Sequence, residues 1–303
     1  MSEIILHQYG LSPFSEKIRR ILAYKNLPWR AVDQPMMMPK PDLIALTGGY
    51  RRIPVLQIGA DIYCDTACIA RRIEELHPIP ACLPPALVGL ASVVEDWADH
   101  RFFFQCVPPV VVALLPQLPE GFLEDRAQMS PGMSRAALIA AAPQALAQAL
   151  LSLDRLEQQL RQQSFVVGET FTVADAACFH VVWFLRNAPA LFAEVEARPA
   201  LAAWLARIEG FGPSQTEPLS AAAAIAIATR STPADCARES GLHAGVCVLG
   251  DEVAITADDY GPEATTGRIT SITHDRVTIE RNDPVLGAIA MHFPRTGYYI
   301  SKR

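Results

Sequence analysis

The chain has 303 residues, half of them apolar and 19% charged, which is length enough for two or three domains and apolar enough to bury a core, so disorder is excluded as its general state. A formal net charge of −6 weighs against nucleic acid as the main partner. No run approaches the roughly 18 uninterrupted apolar residues of a membrane span, and the start, Met1 to His7, lacks the basic and then apolar pattern of a secretory signal. Seven cysteines without a C-x-x-C pair point to reduced thiols in a cytoplasm rather than to a disulfide frame. By segment, Lys/Arg against Asp/Glu number 10 to 8 in residues 1–80, 10 to 16 in 81–241 and 6 to 8 in 242–303. Only the first part is positive, and a small anionic ligand is expected there.

Residues 1–80 alternate strands and helices. Ile4 to Tyr9 reads as a buried strand. After the turn Gly10 to Phe14, the spacing of Ile18, Ile21, Leu22 and Lys25 fits a helix with one apolar face. Leu27 to Val32 reads as a second strand, followed by a Met- and Pro-rich loop from Gln34 to Pro41. Arg52–Ile58 and Ala60–Tyr63 flank Gly59 as a hairpin, and Thr66 to Leu76 closes the unit as a helix. The order, β-α-β then β-β-α, is a small α/β domain with a mixed sheet. The proline-rich stretch Pro78 to Pro85 reads as a linker.

Residues 86–241 read as helical. Ser92-x-x-Glu95 and Thr172-Val-Ala-Asp175 carry the capping-box pattern, and the spacing of Trp97, Arg101 and Phe104 places them on one helical face. Pro108-Pro109 is expected to bend or end that helix. The apolar helix opened by Thr172 belongs at the centre of a bundle, Ala221 to Ala228 is a packed helix, and Thr232 starts a last short helix that Gly241 stops. Residues 242–303 change period once more: Val246–Leu249, Glu252–Thr256, Gly267–Ile272, Arg276–Glu280, Ala288–Phe293 and Tyr298–Ile300 read as short strands of a small barrel without long exposed edges.

Three features carry chemistry. Tyr9-Gly-Leu-Ser-Pro-Phe-Ser15 runs straight into a helix, whose N-terminus offers unpaired N–H groups and partial positive charge. Ser12 there either caps the helix, the commoner case, or donates to an anion and lowers the pKa of a thiol beside it. Pro54, within Ile53-Pro-Val55, fits an edge strand or a cis peptide, and the latter would leave the Val55 backbone free to pair with an extended peptide. Asp65-Thr66 precedes a helix, where it is either a plain cap or a receiver for a carboxylate and an ammonium.

Taken together, in this order and spacing, these residues resemble the thioredoxin-like domain of the cytosolic glutathione transferases followed by that family's all-helical domain, over residues 1 to about 215. The specific marks are Ser12-Pro-Phe-Ser15, Arg52-Ile-Pro-Val-Leu56 with the family's cis-proline at Pro54, Asp65-Thr66, and the capping box Thr172 to Asp175. The serine looks most like the Tau and Zeta classes. The resemblance implies glutathione as co-substrate, a homodimer and no metal. Ser12 would hold the glutathione thiolate, with Ser15 and Tyr9 as rival hydroxyls. Val55 would pair its backbone with the cysteinyl unit, Ile53 and Pro54 would lie among the glutathione-binding residues, and Asp65 and Thr66 would hold its γ-glutamyl end. Lys40 would take the glycine carboxylate, with Arg51 and Arg52 as rivals. A small hydrophobic electrophile would meet Phe14, Trp97, Arg101 and Phe104, although by themselves the last three read as core or interface residues.

The chemistry implied is attack of the bound sulfur on an electrophilic carbon. Disulfide reduction is disfavoured, because Ser12 cannot form the mixed disulfide that a cysteine would. An isomerase or dehalogenase on the same scaffold, or a binding protein without turnover, are the alternatives. Cys64 and Cys68 lack neighbours for a metal site, Gly48-Gly49 is a turn and not a phosphate loop, and no G-x-S-x-G elbow is present. The resemblance does not reach residues 242–303, which are expected to pack on the helical domain and either buttress the dimer or lid the electrophile pocket, an interaction module being the competing reading.

Overall fold

A computed structural model describes residues 3–234, 247–261 and 263–303. Its first part runs β1 (Ile5–Gln8), α1 (Pro13–Tyr24), β2 (Trp29–Asp33), α2 (Pro41–Thr47), β3 (Val55–Ile58), β4 (Asp61–Cys64) and α3 (Thr66–Leu76). Helices follow: α4 (Val88–Asp96), a π-helical stretch Trp97–Phe102, α5 (Phe103–Leu114), α6 (Phe122–Met129), α7 (Arg135–Leu160), α8 (Val173–Phe184), α9 (Pro189–Glu196) and α10 (Pro199–Glu209). The chain ends with β5 (Thr216–Pro218), α11 (Ala221–Thr229), β6 (Glu252–Ala257), β7 (Thr265–Ile272), β8 (Arg276–Asp283), β9 (Gly287–Pro294) and β10 (Tyr298–Lys302). Two compact units result, one of Met1–Ser15, Pro28–Arg72 and Gln215–Arg303, the other of Glu16–Leu27 and Ile73–Ser214.

The first unit holds one open sheet in the order β10-β6-β7-β8-β9-β4-β3-β1-β2-β5. Its β1–β4 part is the expected mixed sheet, with β1 parallel to β2 and antiparallel to β3. From 247 on, the described residues are β-strands and their connections, as expected, but they do not close into a barrel of their own. Instead β9 pairs parallel with β4, Ile62 opposite Met291 and Tyr63 opposite His292. The physical reason lies in β4, where all four residues are buried, so the backbone groups on its outer side need partners that water cannot supply. Two further differences are local. Residues 247–249 form no strand, and the helix expected after Thr232 falls largely at 235–246, outside the described residues.

The join between β4 and β9 is both apolar and polar. Leu43 and Leu46 of α2, Val55, Ile62, Ile255, Ile279, Met291 and Phe293 belong to one buried cluster. His292 Nε2 bonds Asp61 Oδ1 at 2.8 Å, its Nδ1 meets Thr278 Oγ1 at 3.0 Å, and the Tyr63 ring stacks on the imidazole at 4.1 Å. Helix α2, which has no counterpart among the expected elements and starts where the expected loop ends, is opened by Pro41 and closed by Gly48 at φ +65°. Arg281 of β8 donates to the carbonyl oxygens of Ala45 and Leu46 at that helix end. A side chain at position 48 would put its Cβ 2.7 Å from the Arg281 Nε, so the glycine serves both the left-handed turn and the close approach of the arginine.

His7 sets an expectation for acid. It is buried between Gln57 Oε1, 2.9 Å from Nε2, and Gln34 Nε2, 3.2 Å from Nδ1, an arrangement that suits the neutral ring. Burial pushes its pKa down to about 4. The unfolded chain therefore takes up a proton below about 6.5 that the folded chain refuses, so the stability from His7 is complete above pH 6.5 and is lost as the pH falls towards 4. The loss between pH 8 and pH 5 should be about 2 kcal/mol. His180 and His292, also held low by burial, add in the same direction. Thermal melts across this range should show the slope, and His7→Gln should flatten it; a slope unchanged in that variant would contradict the assignment.

In the second unit α8 is central as expected, with every residue but Trp183 buried. Its capping box is formed: Asp175 Oδ2 accepts from Thr172 N at 2.9 Å, while Oδ1 accepts from Val166 N at 2.8 Å and from Trp204 Nε1 at 3.0 Å. The other capping-box reading is corrected, since α4 begins at Val88 and Ser92 lies inside it. Pro108 and Pro109 sit within α5 and do not end it. The irregularity comes earlier, in the wide π turns of Trp97–Phe102, which loosen the helix ahead of the two rings. Among the described residues α7 is the one helix long and apolar enough to cross a membrane, with Gln144 and Gln148 interrupting its apolar run.

Lys17, fully buried, reaches Glu95 Oε1 at 2.8 Å and Asp99 Oδ2 at 2.5 Å, and His180 Nε2 holds the other Asp99 oxygen at 2.9 Å. Burial alone would depress the Lys17 ammonium, but Asp99 and Glu95 outweigh it and hold it above its ordinary range. Burial alone would likewise raise the Asp99 carboxyl, and Lys17 with His180 holds it well below the usual carboxylate range instead.

Candidate functional site

Sheet register gathers the site. His7, Val55 and Cys64 stand in one row across β1, β3 and β4. The segments that leave the sheet beyond this row are Tyr9–Ser12, Ile53–Pro54 and Asp65–Thr66, so all three predicted motifs emerge at the same end of the sheet. The Ile53–Pro54 peptide is cis, as the resemblance implies.

Ser12 is buried and caps α1: its Oγ accepts from Ser15 N at 3.1 Å, and its own N–H donates to Tyr9 O at 3.0 Å. The cap and the donor readings are compatible, because a hydroxyl accepts through a lone pair and still has its proton to give. The rival hydroxyl of Ser15 is fully buried and has no hydrogen-bond partner among the described residues. Tyr9 is half-buried.

Val55 does not stand where it was expected to. It is flanked by β1 and β4 on both sides, so no sheet edge is open beside it for an extended peptide. Ile53, half-buried and just ahead of the cis bond, is the position outside the ladder.

Asp65 caps α3, its Oδ1 accepting from Ala67 N at 2.8 Å, with its backbone at φ +74°, a left-handed conformation that Asp tolerates better than most residues. Its other oxygen accepts from Tyr298 OH at 3.2 Å, and Tyr298 in turn lies 3.3 Å from Tyr50 OH. Burial pushes both phenols well above their ordinary range, so both remain donors. Thr66 is buried at the first position of α3.

The cations are engaged inside the chain. Lys40 is buried and donates to Arg51 O at 3.2 Å. Arg51 pairs with Glu263 at 3.4 Å, and Arg52 with Asp259 at 2.6 Å beneath the Tyr260 ring. No local motif marks Tyr298, Asp259 or Glu263 as site residues; their place follows from the β4–β9 pairing.

Of the electrophile candidates, Phe14 is half-buried in the first turn of α1. Trp97 stacks on Phe102 at 5.3 Å, Arg101 is exposed, and Phe104 meets Phe103 edge-on at 5.4 Å. The expected shared face of Trp97, Arg101 and Phe104 assumed α-helical spacing, whereas 97–102 is π-helical. Cys64 and Cys68 are buried, and burial pushes the Cys64 thiol well up, which disfavours the thiolate that a metal would need.

A thioredoxin-like sheet with a serine-capped first helix and a cis-proline, joined to an all-helical part, defines the class of the protein. The chain matches the glutathione S-transferase N-terminal domain over residues 6–82 and the glutathione S-transferase C-terminal domain over residues 139–207. A solved GST-like protein from Pseudomonas syringae is 38% identical over 100% of both chains, with a TM-score of 0.83. A glutathione S-transferase from Methylobacterium radiotolerans, solved with glutathione sulfonate, is 26% identical over 71% of this chain and 93% of its own, with a TM-score of 0.53. One from Rhodospirillum rubrum, at 22% identity over 70% and 90%, with a TM-score of 0.55, shares the fold. A search of curated proteins returns no match. The chain belongs to the glutathione S-transferase family.

Proposed function

We propose that the protein binds glutathione as a thiolate beside Ser12 and transfers it to a small hydrophobic electrophile. The observation that carries this reading is the common exit of the Ser12, Ile53–Pro54 and Asp65–Thr66 segments beyond one row of the sheet. A tripeptide laid across that end has a hydroxyl for its sulfur, backbone groups at Ile53 for its cysteinyl unit, and an acid with a helix N-terminus for its γ-glutamyl ammonium and carboxylate. The N–H groups at the start of α1 favour the anion. In substitution the sulfur forms a bond to carbon as the leaving group departs with its electron pair, and the thiol proton has already gone to solvent. Ser12, as in Tau- and Zeta-like members, is the hydroxyl in this reading. Phe14, Trp97, Arg101 and Phe104 are proposed for the electrophile, in a cytoplasmic homodimer.

Titration calorimetry with reduced glutathione tests the reading. At pH 7 a free thiol with a pKa near 8.5 is mostly protonated, so binding should release a proton to buffer. The absence of both binding and proton release at millimolar glutathione would remove the reading. A second reading, a glutathione-binding protein without turnover, is favoured by the internal pairing of Arg51 and Arg52; binding with proton release but no conjugation of an activated aryl halide would select it.

A further inference from the structure

The cations around the candidate site do not stand open to solvent. Arg51 Nη1 lies 3.4 Å from Glu263 Oε1, and Arg52 Nη2 lies 2.6 Å from Asp259 Oδ1. Both acids come from the connection between β6 and β7, more than 200 residues along the chain. The guanidinium of Arg52 also lies 5.5 Å from the centre of the Tyr260 ring, and Tyr260 N donates to the same Asp259 oxygen at 2.6 Å. Asp65 is held from the same extension by Tyr298. Three of the charged groups that a zwitterionic peptide would use are therefore met by side chains of the C-terminal extension.

We propose that Asp259 and Glu263 form a built-in competitor for the glycine carboxylate of glutathione, occupying Arg52 and Arg51 in the resting protein and yielding them when the tripeptide binds. This rests on the proposed binding of glutathione at the Ser12 end of the sheet. The physical ground is charge balance. Each arginine already faces a carboxylate, and a further carboxylate approaching it is repelled until the resident acid swings away. Glu263 and Asp259 are suited to leave, since their side chains keep 38% and 26% of their exposure while those of Arg51 and Arg52 keep only 6% and 18%. An acid able to regain water loses little on release, whereas the arginines stay in place to receive a new anion. Apparent glutathione affinity is then set by the difference between two ion-pair sets, which makes it weaker than the site alone would give.

The test is calorimetric titration of the full-length chain and its Asp259→Asn/Glu263→Gln variant with reduced glutathione, and with glutathione esterified at its glycine carboxylate. The double variant should bind glutathione about five- to tenfold more tightly, the scale set by two partly exposed ion pairs, and should gain nothing with the ester. Equal or weaker affinity in the variant overturns the competitor while leaving the proposed glutathione site standing. An equal gain with the ester also overturns it, because the carboxylate would then not be the competing group. If neither protein binds glutathione, both proposals fall. Both substitutions are at accessible side chains; should the double variant unfold, Glu263→Gln alone, with its expected smaller gain, decides between the same outcomes.

Discussion

Ser12→Ala is expected to lower kcat/KM for glutathione conjugation by about 10²- to 10³-fold, the usual effect of removing one donor from a held anion. The same change removes the acceptor for Ser15 N, a helix cap worth about 1 kcal/mol, so a drop in activity alone would not separate chemistry from stability. Ser12→Gly does. Glycine at an N-cap costs only a few tenths of a kcal/mol, yet it offers no hydroxyl. If the hydroxyl holds the thiolate, glycine should be as inactive as alanine and the pH at which activity rises should move up in both, while Ser12→Thr retains much of the rate. Near-normal kcat/KM in the glycine variant would reduce Ser12 to a cap.

Asp175→Ala should cost about 3–5 kcal/mol, the range for stripping partners from a buried charged group. Four donors converge on this carboxylate, Val166 N and Trp204 Nε1 on one oxygen, Thr172 N and Thr172 Oγ1 on the other. Water has no easy way in, since Asp175 is itself fully buried and α8 is surrounded. Asp175→Asn is the sharper probe. Either orientation of the amide turns its NH₂ towards a backbone N–H, of Val166 or of Thr172, and neither can become an acceptor. Both variants should melt about 10 °C below the parent chain. A loss below 1 kcal/mol in the asparagine variant would mean that one of those N–H groups is satisfied elsewhere.

Much of the fold was legible because it is written in local signals. Short continuous apolar runs mark β1 and β3, the Thr172-x-x-Asp175 box marks α8, and Ser12 before Pro13 marks α1. The candidate site was legible to the same extent: Ser12, Pro54 and Asp65 each sit at a helix start or strand end that their neighbours announce. What was not legible is non-local. Nothing beside Met291 or His292 states that β9 will lie along β4, and the expectation of a separate barrel followed from reading the last strands by themselves. The misplaced role of Val55 has a similar cause, since a residue one step past a cis-proline looks free until its row partners His7 and Cys64 are known. The π turns of Trp97–Phe102 defeated face assignment because the α period was assumed there. The pairing of Arg51 with Glu263 crosses 212 residues, beyond any pattern a window can hold.

The parallel union of β4 with β9 has a bearing on how the molecule comes into being. Strand β4 is made early, and its partner emerges only after the whole helical segment has left the ribosome. Until then the nascent chain carries a strand with one flank unsatisfied, next to apolar side chains that have no cover, the kind of surface that invites other chains to add to it. Closing so distant a contact is slow on entropic grounds. Helix α2, whose last carbonyls wait for Arg281, completes on the same late schedule. The emergence of the last strands, and not the appearance of the first domain, is thus the moment at which this chain acquires its finished sheet.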